Sequence, residues 1–342
     1  MKRSMIYFFL CWALTVMCLT QAPVHPEAKV WAQEMGVSVV AFDYNALVDR
    51  YATAHSDLTV RIWDAATDQL LHTVQVPDWR NNPAFEHYFF SRLVFSPQGD
   101  RLAVSFWGHV GGFVIIDTAS GQIVLESSED IPPVGPIAWS PDGEFLVGIY
   151  YTSMTTAPDG FLTLRDSHTG QEINNHFIST SPVALDWHPF DTRLAFASLT
   201  HIVIWDVEQW QEVYTIPADE NEVVLVAWSP LGNVFVSFGT EGIVRLWDSE
   251  TGQLQRAINA GYQEGYQGIF WSQNGKWVGV TQANKLQLWN AQTGEAIFSY
   301  EAEKQILGAG VLADGSILFA SGNTVERLET SLTARPVRPS RP

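Results

Sequence analysis

Between Glu222 and Ile258 apolar and polar positions alternate in four short runs. Val224, Val226 and Trp228 sit at period two and end on the turn Ser229-Pro230-Leu231-Gly232. Val234, Val236 and Phe238 follow, closed by Glu241-Gly242. Val244, Leu246 and Asp248 then share one face with Arg245 and Trp247 on the other, and Ser249-Glu-Thr-Gly252 turns the chain into the run 253–258. Alternation at this length, punctuated by Pro, Gly and Asp turns, predicts four antiparallel strands joined as a meander. One such sheet cannot cover both of its faces, so copies of it must stack.

Three markers make the copies visible. The first is an apolar, mostly aromatic residue that closes a strand ahead of a tight turn. Phe42-Asp-Tyr-Asn45 opens the series, followed by Phe95-Ser-Pro-Gln-Gly99, Trp139-Ser-Pro-Asp-Gly143 and Trp187-His-Pro-Phe-Asp191. Trp228-Ser-Pro-Leu-Gly232, Trp271-Ser-Gln-Asn-Gly275 and Val311-Leu-Ala-Asp-Gly315 complete it. Pro presets φ early in such a turn and Gly supplies the positive φ at its end, so the motif serves hairpin geometry, not catalysis. The second marker is an alternating strand that ends in a carboxylate or amide, at Asp64, Asp117, Asp166, Asp206, Asp248, Asn290 and Glu329. These endings recur 39 to 53 residues apart, a period that belongs to propellers or arrays. The third marker lies four residues further on: Gly121, Gly170, Gly252 and Gly294, with Asp68 in the first copy. Trp210 breaks the pattern in the fourth copy and predicts a different turn there.

Ile62-Trp63-Asp64, Ile204-Trp205-Asp206 and Leu246-Trp247-Asp248 resemble the Trp-Asp endings of WD40-repeat proteins. Phe95-Ser-Pro, Trp139-Ser-Pro-Asp-Gly and Trp228-Ser-Pro are similar to the turn which that family places after its innermost strand. The resemblance spans 39–329. It implies an all-β fold: a seven-bladed β-propeller of four-stranded antiparallel blades, working as a rigid interaction platform. Many members also carry Gly-His between blades, whose His joins a hydrogen-bonded network with a Ser or Thr, the Trp and a turn Asp. Here the one Gly-His, Gly108-His109, falls in mid-blade. The expectation is therefore that no blade has the network and that packing alone holds the Trp rings. Loosely kept endings such as Ile116 and Arg165 resemble a degenerate bacterial branch.

A ring must hide its first and last sheet edges. The tail 330–342 contains Pro336, Pro339 and Pro342 and makes a poor strand. The resemblance implies closure by an N-terminal strand near 28–36, giving a propeller domain over 28–329 and a disordered Pro/Arg tail beyond it. Ahead of that domain, Met1-Lys2-Arg3 and the apolar run 5–19 have the form of a secretory signal peptide. The run is short for a membrane span, so cleavage near Ala22 is the expected outcome and an uncleaved anchor the alternative. A cut at Ala32 would remove the closing strand. Cys11 and Cys18 both lie in this segment, so the mature chain would hold no disulfide and no thiolate site. Together these features predict an extracytoplasmic monomer that meets a membrane only through an uncleaved N-terminus.

Three extended connections fall in the first three blades: Pro77 to Phe90, Phe106 to Gly112, and Tyr150 to Gly160. Loops of this length in a compact fold are functional more often than average. Trp79, Arg80, His87, Tyr88, Trp107, His109, Tyr150 and Tyr151 form the candidate partner-binding patch, since Trp, Tyr and Arg are the usual interface anchors. The competing reading is that Phe85, Phe89 and Phe90 pack the loop onto its blades.

Charge narrows the partners. The formal net charge of −18 repels phosphate backbones, which argues against nucleic acid and in favour of a protein or peptide, basic where charge selects it. None of the nine histidines makes a metal-binding pair, and no catalytic or cofactor motif appears, so no metal, cofactor or catalytic residue is assigned. Two functional readings remain. The first is an exported non-catalytic scaffold. The second is an extracytoplasmic propeller enzyme, or a binder of a small ligand or cation, using acidic residues at the channel mouth. A deep pocket lined by two carboxylates and a His favours the second; a channel lined by small apolar residues favours the first.

Overall fold

The computed structural model describes residues 29–33, 37–77, 89–107, 112–127, 134–151, 159–178, 182–198, 201–217, 223–263 and 265–330. Every strand in it belongs to one of seven four-stranded antiparallel sheets. The sheets span 39–75, 89–126, 134–178, 182–217, 223–259 and 266–301, and the seventh combines 306–328 with the strand Lys29–Gln33. Within the first six, strand order follows the sequence from the inner strand outward. In the seventh, Lys29–Gln33 takes the outer place beside Thr324–Leu328, pairing Lys29 with Arg327 and Ala32 with Val325. The apolar segment 5–19 and the tail 331–342 lie outside the described residues.

The core is not one cluster but seven, each shared by two neighbouring blades. Ile62 and Val104 meet between blades 1 and 2, Ile115 and Trp139 between blades 2 and 3, and Ile149 and Phe196 between blades 3 and 4. Ile204 and Phe235 follow between blades 4 and 5, Phe238 and Val280 between 5 and 6, and Leu288 and Phe319 between 6 and 7. Tyr51 and Leu318 complete the circuit between blades 7 and 1. Burying an aliphatic or aromatic side chain of this size is worth about 1.5–3 kcal/mol, and here that gain requires a neighbour. This arrangement explains why period-two alternation is only partly reflected in burial. Second strands are covered on both faces, as in Arg101–Trp107 and Val234–Gly239, and Arg245 and Trp247 are both buried although they oppose Val244 and Leu246. Outer strands such as Glu172–Ile178 are largely exposed.

Each inner strand carries a register shift near its start, from Val39/Ala41 in blade 1 to Ile306/Gly308 in blade 7. Such bulges bend a strand and re-aim the next side chain. The carboxylates and amides that end the third strands cap the turns that follow. Asp64 Oδ1 accepts from the Thr67 N–H at 2.8 Å and its hydroxyl at 2.7 Å. Asp117, Asp166 and Asp248 repeat the geometry with Ser120, Thr169 and Thr251, and Asn290 accepts from the Thr293 N–H.

Register corrects three sequence expectations. Tyr44 pairs with Tyr51 as Phe95 pairs with Leu102 and Trp187 with Leu194, so Tyr44, not Phe42, closes the first inner strand. That turn lacks the Ser-Pro signature: Asn45 Oδ1 caps the N–H groups of Leu47 and Val48, and Asp49 supplies the positive φ of 50°. Trp210 does not change its turn either. Its φ is 54°, in the same left-handed region as Gly170 and Gly252, and its ring stacks edge-on against Trp205 at 5.8 Å while donating to the Asn175 carbonyl.

The third correction concerns the Trp rings. Trp63 Nε1–H donates to Thr53 Oγ1 at 3.1 Å, and that hydroxyl lies 2.8 Å from His55 Nε2. Trp247 Nε1–H donates to Ser237 Oγ at 2.8 Å. The His therefore comes from the end of the second strand in blade 1, with no Gly-His dipeptide. In blade 4 the equivalent place is taken by Phe196, and the buried Trp205 Nε1 has no hydrogen-bond partner among the described residues.

Candidate functional site

The strand ends that flank the three extended connections lie on one face. Phe89 pairs with Trp107, so residues 78–88 and 108–111 leave blade 2 from the same end. Tyr151 pairs with Gly160, so 152–158 leave the adjacent blade 3 from that end too. Trp107 bridges the two blades, stacking edge-on against Tyr151 at 4.8 Å. Of the eight candidate residues, Trp79, Arg80, His87, Tyr88 and His109 lie outside the described residues. Trp107 is half-buried.

Tyr150 and Tyr151 are not surface groups. Tyr150 is 3% exposed and Tyr151 6%. The Tyr150 ring lies under the Arg165 guanidinium at 5.0 Å, and Arg165 Nε–H donates to its hydroxyl at 3.0 Å. The Tyr151 hydroxyl donates to the Pro182 carbonyl of blade 4. A second strand covered on both faces takes up both tyrosines, so they brace the loop face from beneath. Asp130, Asp219 and Glu264, on acidic stretches of sequence between blades, lie outside the described residues. Among the described residues no group of three metal-ligating side chains converges.

The opposite face, where inner and second strands are joined, holds a feature the sequence reading missed. A cavity of about 570 Å³ occupies the ring's centre and opens between the turns that carry Ala46, Pro97 and Pro189. Asp43, Arg92 and Asp186 line it, from blades 1, 2 and 4. Asp43 and Asp186 precede the residue that closes the inner strand, where the other blades carry Val94, Ala138, Ala227, Phe270 and Gly310. A carboxylate at an otherwise apolar position was the available signal. Arg92 follows the bulge of its own inner strand.

Each aspartate ties its blade to the next. Asp43 Oδ2 accepts from the Phe95 N–H at 2.8 Å. Asp186 Oδ2 accepts from the Trp228 N–H at 2.7 Å, and its Oδ1 from the Trp187 N–H at 3.0 Å. Burial pushes both carboxyls up to about 7, against those backbone hydrogen bonds and the pull of Arg92. The same burial lowers Arg92 from the usual guanidinium value, with Asp43 and Asp186 opposing it. His188 lies at the cavity's rim but is engaged as a turn residue. Its Nε2 lies 2.9 Å from the Gly232 carbonyl, while Nδ1 accepts from the N–H groups of Phe190 and Asp191. The cavity therefore has the two carboxylates and the His that favour an enzyme or small-ligand site, but both ring nitrogens of His188 are engaged and burial holds it below the ordinary histidine value, which argues against acid–base work by this His.

The comparisons agree with this architecture. Residues 187–274 match the family model described as the anaphase-promoting complex subunit 4 WD40 domain. Eukaryotic translation initiation factor 3 subunit I of Scheffersomyces stipitis is 25% identical over 138 residues, covering 36% of this chain and 35% of that protein. A p21-activated protein kinase-interacting protein 1-like protein of Xenopus laevis is 23% identical over 146 residues, 40% of each. The chain thus spans well under half the length of these curated relatives. A chain of the crystal structure of the mitotic checkpoint complex superposes with a TM-score of 0.71 at 18% identity, covering 96% of this chain and 99% of that one. Seven radial four-stranded sheets, the Trp-Asp strand endings and the match over the fourth and fifth blades together make the fold a WD40-type β-propeller.

Proposed function

We propose that the chain is an exported, non-catalytic scaffold that holds a protein or peptide partner on the loop face of blades 1 to 3. The observation that carries this reading is the departure of 78–88, 108–111 and 152–158 from one face of adjacent blades, over the stacked pair Trp107 and Tyr151. A rigid ring fixes the bases of such loops, so their Trp, Tyr and Arg residues meet a partner at little ordering cost. Two relatives support it by name, one a subunit of an initiation factor and one an interacting protein of a kinase. The chain's acidity selects for basic segments in the partner. Export rests on the pattern of residues 1–22.

Affinity capture from the cell-envelope fraction tests both parts. A Trp79→Ala, Arg80→Ala, Tyr88→Ala variant is expected to lose its co-purifying partner while its melting temperature stays within a few degrees of the parent, because the described sheets of blades 1 and 2 span 39–75 and 89–126 and are left intact. The intact mass of the recovered chain is expected to correspond to a start near Pro23. Unchanged capture would reject the loop face, and a full-length chain in the soluble cytoplasm would reject export.

A further inference from the structure

The channel charges form a set that its structural duties do not exhaust. Asp43 and Asp186 are engaged by backbone N–H groups of the next blades. Arg92 is different: its side chain is half-buried and lines the channel, and among the described residues it makes no hydrogen bond or ion pair. A guanidinium has five N–H donors in a planar fork that matches a carboxylate or phosphate, and it leaves water reluctantly unless an acceptor meets it. The two aspartates lie close enough to act on it electrostatically but do not close onto it.

The rest of the wall defines what fits. Ile269 and Leu307, both partly exposed, line the cavity together with Leu185 and Leu225, which pack mainly between blades. Among the described side chains, the inner strands of blades 3, 5, 6 and 7 present no titratable group to it. Of the remaining groups nearby, the Tyr151 hydroxyl is committed to the Pro182 carbonyl and His188 to its turn. The Tyr44 hydroxyl donates to Asp49 at 2.8 Å. A single unpartnered guanidinium in a cavity whose wall mixes aliphatic, aromatic and polar residues suits an anion with an apolar body.

We propose that the central channel is a binding site for a monocarboxylate carried on an aliphatic stem, entering from the turn face and held in a two-pronged hydrogen bond by Arg92, with Asp43 and Asp186 flanking it. The ligand is either a free short-chain acid or the C-terminal carboxylate of a peptide; the shared chemistry is the carboxylate and its apolar stem. The site lies across the ring from the loop face and does not depend on the partner proposed there. The flanking carboxyls set its pH response. Ionised, they repel the incoming carboxylate; protonated, they donate to it. Both titrate near 7, so affinity rises as pH falls from 8 to 6, by about fivefold to tenfold.

Isothermal calorimetry on the full chain tests the proposal with three probes: hexanoate, N-acetyl-leucine and hexylamine. Both acids are expected to bind at roughly millimolar or tighter affinity, more tightly at pH 6 than at pH 8, and hexylamine is not. Tighter N-acetyl-leucine than hexanoate marks a peptide terminus as the ligand; the reverse order marks a free acid. Arg92→Met is expected to weaken both by about tenfold or more. Arg92→Lys, which keeps the charge but loses the fork, serves where the Met variant fails to fold, and is expected to weaken them by a smaller factor. Binding of the amine in place of the acids, equal acid binding by a folded Arg92 variant, or no acid binding would each overturn the assignment.

Discussion

A chain lacking residues 29–33 is expected to melt at a much lower temperature and to self-associate. These residues supply the fourth strand of blade 7, in register Lys29–Arg327, Val30–Glu326, Ala32–Val325 and Gln33–Thr324. Their removal leaves Thr324–Leu328 as an unpaired edge. Ladder hydrogen bonds contribute about 1 kcal/mol each, so losing this strand costs about 4 kcal/mol, a large part of an ordinary domain's 5–15 kcal/mol. The damage does not stop at one blade. The cluster joining blade 7 to blade 1 contains Val325 and Tyr51, and Arg327 reaches across to the Ala65 carbonyl. An exposed edge also pairs readily with another chain. Differential scanning fluorimetry and sedimentation velocity would read both effects. A midpoint and a sedimentation coefficient like those of the parent would show that the strand does not close the ring.

Asp186→Asn is expected to stabilise the protein at pH 8 and to destabilise it by about 1 kcal/mol near pH 4. Asn keeps an acceptor for the Trp228 N–H that Asp186 now holds at 2.7 Å and carries no charge, but it gives up the 3.0 Å bond from the Trp187 N–H, a loss of about 1 kcal/mol at every pH that offsets part of the gain. The sign follows from linkage. The folded carboxyl titrates near 7 against an ordinary 3.8, so the folded state binds more protons between those values. Its contribution is fully present below about 4 and is lost as pH rises through about 7. Each pKa unit is worth about 1.4 kcal/mol, and channel solvent screens part of the shift, leaving roughly 1–3 kcal/mol in favour of the Asn variant at pH 8. The single substitution leaves the Asp43 charge acting on Arg92. The turn-capping aspartates act in a separate window. Hydrogen bonds from the Thr67 and Thr251 turns lower Asp64 and Asp248 below 3.8, so their contribution is present above that value and fades only at more acid pH. Chemical denaturation of parent and variant from pH 4 to 8 separates the two. A parallel pair of stability curves, or a variant less stable at pH 8, would contradict the channel electrostatics.

What was legible in the sequence was what repeats. The turn after each inner strand, the capped ending of each third strand and the spacing between copies are local signals, set by φ and by short-range hydrogen bonds. They led to seven blades of four strands. Where a blade substitutes different chemistry for the same conformation, the reading slipped. Asn45 and Asp49 replace Ser-Pro and Gly in blade 1, and Trp210 takes a left-handed φ that Gly holds elsewhere. The Thr53–His55–Trp63 contacts were missed because the expectation looked for a dipeptide between blades, whereas the His lies in the second strand itself.

The candidate site was less legible still, for a physical reason. Tyr150 and Tyr151 look like loop anchors beside a polar extension, but a strand stacked between two blades buries both faces, and neither tyrosine is free to meet a partner. Asp43, Arg92 and Asp186 lie far apart along the chain and converge only because the ring brings three inner strands round one axis. No spacing rule connects them. A charge at a position where other copies are apolar is a signal, but it gains meaning only once the copies are arranged in a circle.

Both binding proposals depend on a closed ring, since a platform with a free edge would fix neither its loops nor its channel. Closure is tested most directly by a cross-link. With Cys11 and Cys18 replaced by Ser, cysteines introduced at Ala32 and Val325, paired positions on the closing strand and its neighbour, are expected to form an intramolecular disulfide under mild oxidation and to raise the melting temperature. Free thiols after oxidation, or disulfides only between chains, would contradict the closed seven-bladed ring.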